Sequence, residues 1–254
     1  MLPAFSGKGV ICSDTHVPHT DYNSIETILN LPEEYTFIVI VGDIFDADGF
    51  SKFPKKKITY FPTEYTEVVN RILKPFSERF EEVFVVKGNH DMRMEHYFGR
   101  TNQFAMAGFM MNPDPLFHAC QGFDIVKTNA YEEKMKPIHD FSNIYYFNST
   151  ELELGDAIFS HHSNFRSKAS STAQGRVDAF IPFNRRFNYL FTGHTHRIAD
   201  VMHMGRRAIE TGCLCRNYLP AEKQKFIAEQ CYIGVEYKDG YILPNSVDIV
   251  RIGR

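Results

Sequence analysis

Five short stretches of this chain carry residues that can do chemistry, and each follows an apolar run. In order they are Asp14-Thr15-His16, Gly42-Asp43-Ile44-Phe45-Asp46, Gly88-Asn89-His90-Asp91, His161-His162 and Gly193-His194-Thr195-His196. Asp, Asn and His offer oxygen or imidazole nitrogen to a divalent cation. Asp14 and His16 stand two apart, so in an extended segment they face one side and can share an ion. Asp43 follows a glycine, which frees the backbone to turn sharply and carry the carboxylate inward. Its two oxygens can bridge two cations, which a neutral ligand does not readily do. Asp14, His16, Asp43, Asn89, His161, His194 and His196 are enough for two ions sharing Asp43, with positions left for water and substrate. Two ions roughly 3.5–4 Å apart clamp attacking and leaving oxygens and generate hydroxide near neutral pH.

The segments that must position these groups read as buried strands: Gly9–Ser13, Thr36–Val41, Glu82–Lys87, Ala157–Ser160 and Tyr189–Thr192. Ligands at the carboxyl ends of several strands converge on one crevice, where open α/β sheets place their sites. Ile25, Ile28 and Leu29 share one helical face, as do Val68, Val69, Ile72, Leu73 and Phe76. Strands alternating with such helices predict parallel pairing through crossovers. Residues Ala47 to Pro62 are aromatic, lysine-rich and aperiodic, and read as a loop over the strand ends. From Met92 to Asp140 no period wins, and Pro113 and Pro115 break what precedes them. A helical insertion capping the site, or an oligomer contact, is expected there. Short strands dominate after Asn143, and Lys238-Asp239-Gly240 signals a hairpin turn. With no repeat or linker, residues 1–254 read as a single domain with a cap or insertion at about 92–140.

A chain of 254 residues suits one large domain with ample core. Its net charge of −3 argues against non-specific nucleic-acid binding but leaves room for local basic strips. Lys55-Lys56-Lys57, Arg166-Ser167-Lys168, Arg185-Arg186 and Arg206-Arg207 are such strips. No apolar run reaches membrane-spanning length, and the N-terminus lacks the pattern of a signal peptide. The five cysteines are odd in number and scattered, and Cys213 and Cys215 are spaced poorly for a disulfide. Reduced thiols and a cytoplasmic location are expected.

The series Asp-x-His, Gly-Asp-x-x-Asp, Gly-Asn-His-Asp, His and Gly-His-x-His resembles the calcineurin-like metallophosphoesterase superfamily, in that family's order from Asp14 to His196. The resemblance implies an α/β fold, a four-layer αββα sandwich of two mixed sheets with the metals at its upper edge. It implies one metal held by Asp14, His16, Asp43 and His196, and another by Asp43, Asn89, His161 and His194. His161 is preferred to His162 because it directly follows Ser160 at the strand end; His162 then faces substrate or packs. By the same resemblance His90 gives a proton to the leaving oxygen, and Asp46 pairs with it and holds its tautomer. A hydroxide bridging the two ions would attack phosphorus directly. Mn²⁺ is the favoured ion for a mixed carboxylate, amide and imidazole site, with Fe, Zn or Ni as alternatives.

Protein phosphatases of the superfamily usually show Gly-Asp-x-x-Asp-Arg-Gly and Gly-Asn-His-Glu, whereas this chain has Asp46-Ala47-Asp48 and Gly-Asn-His-Asp. The missing arginine points to the phosphodiesterase and nuclease branch, among compact stand-alone members. Arg166 and Lys168 follow the fourth motif with several hydroxyls and could hold a second phosphate or a nucleotide strand; an ordinary surface loop is the alternative. The expected protein is thus a binuclear metal-dependent phosphoesterase acting on phosphodiesters, nucleotides or nucleic acid foremost. A phosphomonoesterase on a small metabolite or phosphoprotein is the runner-up. A metal-stabilised binding scaffold without catalysis is a third reading, against which the intact His90 argues. No membrane partner is expected; the oligomeric state is open, a homodimer among the options.

Overall fold

Strands β1 (Gly7–Cys12), β2 (Tyr35–Val41) and β3 (Glu82–Val86) form the centre of the computed structural model, which describes residues 5–52, 58–101, 114–129, 132–164, 166–217 and 227–253. They pair in parallel, with Ile11 beside Val39 and Val39 beside Phe84. Period-two alternation then sends Ile11, Val39, Phe84 and Val86 to one face and Val10, Ile38, Val83 and Val85 to the other. Both faces are buried, which explains the continuous apolar runs.

The first face meets a second sheet. Its strands are β7 (Glu151–Leu154), β8 (Ala157–Ser160), β9 (Tyr189–Thr192), β10 (Ile198–His203) and β11 (Arg206–Thr211), ordered β10-β11-β9-β8-β7. Leu152, Phe159, Phe191 and Ile209 from this sheet interlock with the first. The opposite face of the first sheet is covered by α1 (Tyr22–Leu29), α2 (Phe61–Val68) and α3 (Lys74–Arg79). Ile158, Leu190 and Ala208 on the outer face of the second sheet pack on Ala173, Val177 and Phe180 of α6 (Ser171–Phe180). The four-layer αββα sandwich is therefore the observed architecture. Both sheets are mixed: β12 (Cys231–Lys238) runs antiparallel to β1, while β6 (Ile144–Phe147) extends the parallel side beyond β3.

Local chemistry fixes the helix ends. Asp21 caps α1 by accepting from the Asn23 amide, and Pro62 sits in the first turn of α2, where its missing N–H costs nothing. The helix thus begins before the expected loop ends. A π-helical stretch, Val69–Leu73, joins α2 to α3 just ahead of Pro75, whose ring disturbs the preceding turn. Asp239 and Gly240 adopt the left-handed φ values of 53° and 84° that a primed hairpin turn requires, joining β12 to β13 (Tyr241–Ile242).

The described residues of the segment from 92 to 140 are not wholly helical. The segment contains α4 (Arg93–Thr101) and α5 (Pro115–Cys120), but also an antiparallel pair, β4 (Phe123–Asn129) and β5 (Glu132–Pro137). Every residue of β5 is exposed, so no apolar alternation betrays it. Phe104, Met106, Phe109, Met110 and Met111 lie outside the described residues, as do Lys55, Lys56 and Lys57. Among the described residues no helix is long and apolar enough to cross a membrane.

Candidate functional site

The loops leaving β1, β2, β3, β8 and β9 meet at one edge of the sandwich. Of ten non-glycine residues with positive φ among those described, five are Asp14, His16, Asp43, His194 and His196. Such left-handed backbone is costly for residues with a Cβ and persists where the surroundings enforce it, typically at functional sites. The loops are stitched by backbone bonds: Asp14 N–H donates to Gly42 O at 3.0 Å and His16 N–H to Asp43 O at 3.0 Å. Their approach explains one motif glycine, because a Cβ on Gly88 would lie 2.1 Å from the Asp43 nitrogen.

Asp14, His16 and His196 form one group of converging ligand atoms, and Asp43, His161 and His194 form another. Nε2 of His16 lies 3.0 Å from Nε2 of His196, 3.5 Å from Asp14 Oδ1 and 3.6 Å from Asp43 Oδ2. His161 donates from Nδ1 to Val41 O at 2.6 Å, which aims the Nε2 lone pair at Asp43 Oδ2, 3.1 Å away. Asp43 therefore stands between the groups, while its Oδ1 accepts from the His90 amide at 2.8 Å. Asp14 Oδ1, Asn89 Oδ1 and His161 Nε2 are buried with no hydrogen-bond partner. Lone pairs facing one another at such distances repel unless a cation lies between them. Ligand atoms about 2.0–2.2 Å from a common ion stand roughly 3 Å apart when adjacent, so this donor set fits divalent cations.

The electrostatics agree with that reading. Burial pushes the Asp14 carboxyl up, but the imidazoles of His161 and His196 more than reverse this and hold it well below the usual range. Asp43 is likewise depressed, with His161 and His90 outweighing burial. His161 is disfavoured as a cation by burial, yet Asp43 and Asp14 raise it to about 9. Burial and the neighbouring His161 lower His194 to about 4. A proton and a metal ion compete for the His161 Nε2 lone pair. His162 accepts instead from the Asn164 amide at 3.3 Å and lies outside both groups.

His90 sits at the rim of the cluster, with Nδ1 3.1 Å from Asp46 Oδ1 and 3.1 Å from Asp46 O. The same Asp46 oxygen lies 3.1 Å from His16 Nδ1, and Oδ2 lies 3.5 Å from His19 Nε2. Asp46 thus orients a candidate ligand as well as His90, a double role the motif alone does not reveal. Arg93 went unnoticed in the sequence. Its Nη2 donates to His90 Nε2 at 2.8 Å, and its Nη1 donates to Asp46 O at 2.5 Å and Asp48 Oδ1 at 3.0 Å. A guanidinium only donates, so His90 Nε2 is the acceptor here. The arginine is absent after Asp46, where Ala47 stands, and a guanidinium reaches this corner instead from the start of α4. His90 lies in the turn ahead of α4, outside the helix, so no helical spacing marks the pair in the sequence.

Beyond the fourth motif, Ser163, Asn164, Arg166, Thr172, Gly175 and Arg176 line a cavity of about 560 Å³. Arg166 lies over Gly175, where a Cβ would come within 2.6 Å of the guanidinium carbon. Lys168 is exposed and does not line the cavity. Arg197, directly after the fifth motif, donates to Ser167 O at 2.7 Å and Arg166 O at 3.0 Å, tying this loop to the cluster. Sequence reasoning missed that tie as well.

Solved structures of similar fold include a single-mutant Vps29 from Entamoeba histolytica, 15% identical with a TM-score of 0.44, covering 96% of this chain and 98% of that one. An archaeal phosphodiesterase is 12% identical with a TM-score of 0.45, covering 96% and 99%. A predicted phosphoesterase from Streptococcus pneumoniae is 12% identical with a TM-score of 0.38, covering 97% and 98%. No curated protein matches the sequence. The family model described as calcineurin-like phosphoesterase matches residues 8–197, a span that opens in β1 and takes in all five ligand-bearing loops, and the chain belongs to that family.

Proposed function

We propose that this protein is a phosphoester hydrolase that uses two divalent ions, Mn²⁺ foremost, and acts on phosphodiesters, nucleotidic ones in particular. The observation that carries the reading is the convergence of ligand atoms around Asp43, with His90 held by Asp46 at the edge of the same cluster. Bound divalent ions would polarise a phosphoryl oxygen and supply hydroxide near neutral pH. Asp14, His16 and His196 would hold one ion, Asn89, His161 and His194 the other, and Asp43 both. His90 would protonate the leaving oxygen from Nε2, which requires that nitrogen to gain a proton and Arg93 to turn toward substrate. Asp46 would keep His90 Nδ1 as the donor side and so preserve the ring's orientation. Arg166, beside its cavity, would meet a non-scissile phosphate. Residues 1–254 would act as one functional unit.

The test is turnover by purified protein across bis-p-nitrophenyl phosphate, p-nitrophenyl phosphate, cyclic nucleotides and single- and double-stranded DNA. Diester hydrolysis that chelation abolishes and Mn²⁺ restores is the expected result. Protein that binds two ions yet turns over none of these would instead be a metal-stabilised binding scaffold.

A further inference from the structure

We infer that Cys213, Cys215 and Nδ1 of His196 form a further metal site, one that takes a zinc-class ion through sulfur directly behind the Asp43 cluster. The inference does not depend on which phosphoester is cleaved, or on whether one is. The three residues bring ligand atoms within 4.8 Å of one another. Cys215 Sγ lies 3.7 Å from Nδ1 of His196. Nε2 of the same ring lies 3.2 Å from Asp14 Oδ1, in the first ligand group. The imidazole therefore has one nitrogen for each site, and with both engaged it carries no N–H.

The chain holds these groups in place before any ion arrives. Cys213 and Cys215 follow β11, on either side of Leu214, and both are wholly buried. Leu214 packs in the apolar cluster beneath α1, α2 and α3, to which neither cysteine belongs. Cys213 bridges to Gln230 and Cys215 to Thr20. The Cys213 amide donates to Glu229 O at 3.0 Å, and the Glu229 amide donates to His196 O at 2.8 Å. One residue thus ties the cysteine loop to the histidine loop, the support that a metal site needs. The other thiols have different surroundings. Cys12 and Cys120 are packed in the apolar core, and Cys231 Sγ donates to Thr211 O at 3.1 Å. Cys213 Sγ makes only longer contacts to carbonyls, 3.6 Å to Cys215 O and 3.8 Å to Glu229 O.

The donor set selects the ion. Zinc bound to sulfur at about 2.3 Å and to imidazole nitrogen at about 2.0–2.1 Å in a tetrahedron sets those atoms roughly 3.5 Å apart. The 3.7 Å between Cys215 Sγ and His196 Nδ1 is close to that separation. Thiols ligate as thiolates, so binding releases their protons, and two thiolates cancel the charge of a divalent ion. That neutrality suits a buried position. Sulfur is soft, whereas carboxylate, amide and imidazole suit Mn²⁺, so donor type sorts two kinds of ion between adjoining sites. Cys215 also lines a cavity of about 450 Å³, with Asp21, Asn23 and Gln230 among its other walls. The cavity gives the ion a way in and leaves room for water as a fourth ligand.

Cobalt(II) is the probe, because it replaces zinc at tetrahedral sulfur sites and gives a thiolate-to-cobalt charge-transfer absorption that oxygen and nitrogen ligands do not. The full chain, reduced and loaded with Mn²⁺, is titrated with Co²⁺. Wild type should develop that absorption to a plateau, and Zn²⁺ should bleach it by displacing the cobalt. Elemental analysis in excess Zn²⁺ should count one ion per chain more in wild type than in the Cys213→Ala, Cys215→Ala double variant. The double variant should show no sulfur absorption, each single variant should reach a lower plateau, and Cys231→Ala should match wild type. His196→Ala should keep the absorption but need more Co²⁺ to reach it, since two thiolates remain. Melting temperatures check that the variants fold, and the wild-type spectrum needs no variant. Wild type without sulfur absorption, or equal absorption in the double variant, overturns the site, and the Mn²⁺ content then judges the Asp43 cluster separately. An unchanged titration in His196→Ala overturns the part given to His196. Sulfur absorption in protein that hydrolyses no phosphoester supports the site and overturns only the reading of function.

Discussion

Asp91 grips the loop that presents Asp43. Its Oδ2 accepts from the Asp43 amide at 2.9 Å and the Gly88 amide at 2.8 Å, while Oδ1 accepts from Ile44 at 3.1 Å and Phe45 at 3.0 Å. One buried carboxylate thereby fixes the turns after β2 and β3 to each other and satisfies four amides that no strand pairs. It sets where the Asp43 oxygens lie and hence where the two ligand groups meet.

Asp91→Asn should therefore destabilise the protein and loosen metal binding together. The amide nitrogen would face two backbone donors, leaving them unsatisfied, which costs about 2–4 kcal/mol. Metal affinity should weaken about 10–100-fold, as when groups that orient ligands are removed. Urea unfolding and metal titration measure both. A variant of wild-type stability and affinity would show that the loops hold themselves.

Asp43 and His196 should differ in what they remove. Asp43 Oδ2 lies near both His16 and His161, whereas His196 belongs to one group. Asp43→Asn should reduce both ions per chain, and His196→Ala should reduce one. Elemental analysis after desalting distinguishes the outcomes; two retained ions in Asp43→Asn would remove the proposed bridge. Chelation should also lower the melting temperature, because ions that bind only the folded chain stabilise it.

The parts of this site that can be read from sequence are those whose chemistry is local. Asp14 and His16, or His194 and His196, declare themselves by spacing because one loop presents both. β1, β2 and β3 are legible because burial on two faces leaves unbroken apolar runs. Arg93, Arg197 and Asp91 act across distant segments, and a single arginine or aspartate carries no period. β5 hides for the opposite reason, since a wholly exposed strand has no apolar face to alternate.

Stability should respond to pH through Glu64. This α2 residue is buried and accepts from the Ala47 amide at 2.6 Å. Burial raises its carboxyl to about 8, the Ala47 bond opposing and the Asp46 charge adding. Below the unfolded value near 4.5 both states are protonated and stability is full. Between 4.5 and about 8 only the unfolded state releases the proton, so stability falls as pH rises. Glu64→Gln keeps an acceptor for Ala47 and removes the titration. It should flatten urea midpoints between pH 5 and 8 and gain about 1–3 kcal/mol over wild type at pH 8. Parallel pH profiles for the two proteins would refute this.

Substrate reach beyond the metals should depend on Arg166 and little on Lys168. Both residues are exposed, but Arg166 lines the cavity beside the fourth motif and lies over Gly175, whereas Lys168 contributes its carbonyl to Ser171. If a nucleotide strand binds there, Arg166→Ala should raise KM for an oligonucleotide and reduce its logarithmic salt slope by about 1, the effect of losing one phosphate contact. A small chromogenic diester, which carries no second phosphate, should be spared. Gly175→Ala supplies an independent check, because its added carbon displaces the Arg166 guanidinium while a mid-helix alanine gains about 0.5–1 kcal/mol of helix propensity. That variant should bind the oligonucleotide more weakly without losing stability, a combination that general damage to the fold does not produce. Lys168→Ala matching Arg166→Ala in KM and salt slope would assign the effect to diffuse surface charge, and unchanged kinetics in all three variants would make this loop ordinary surface.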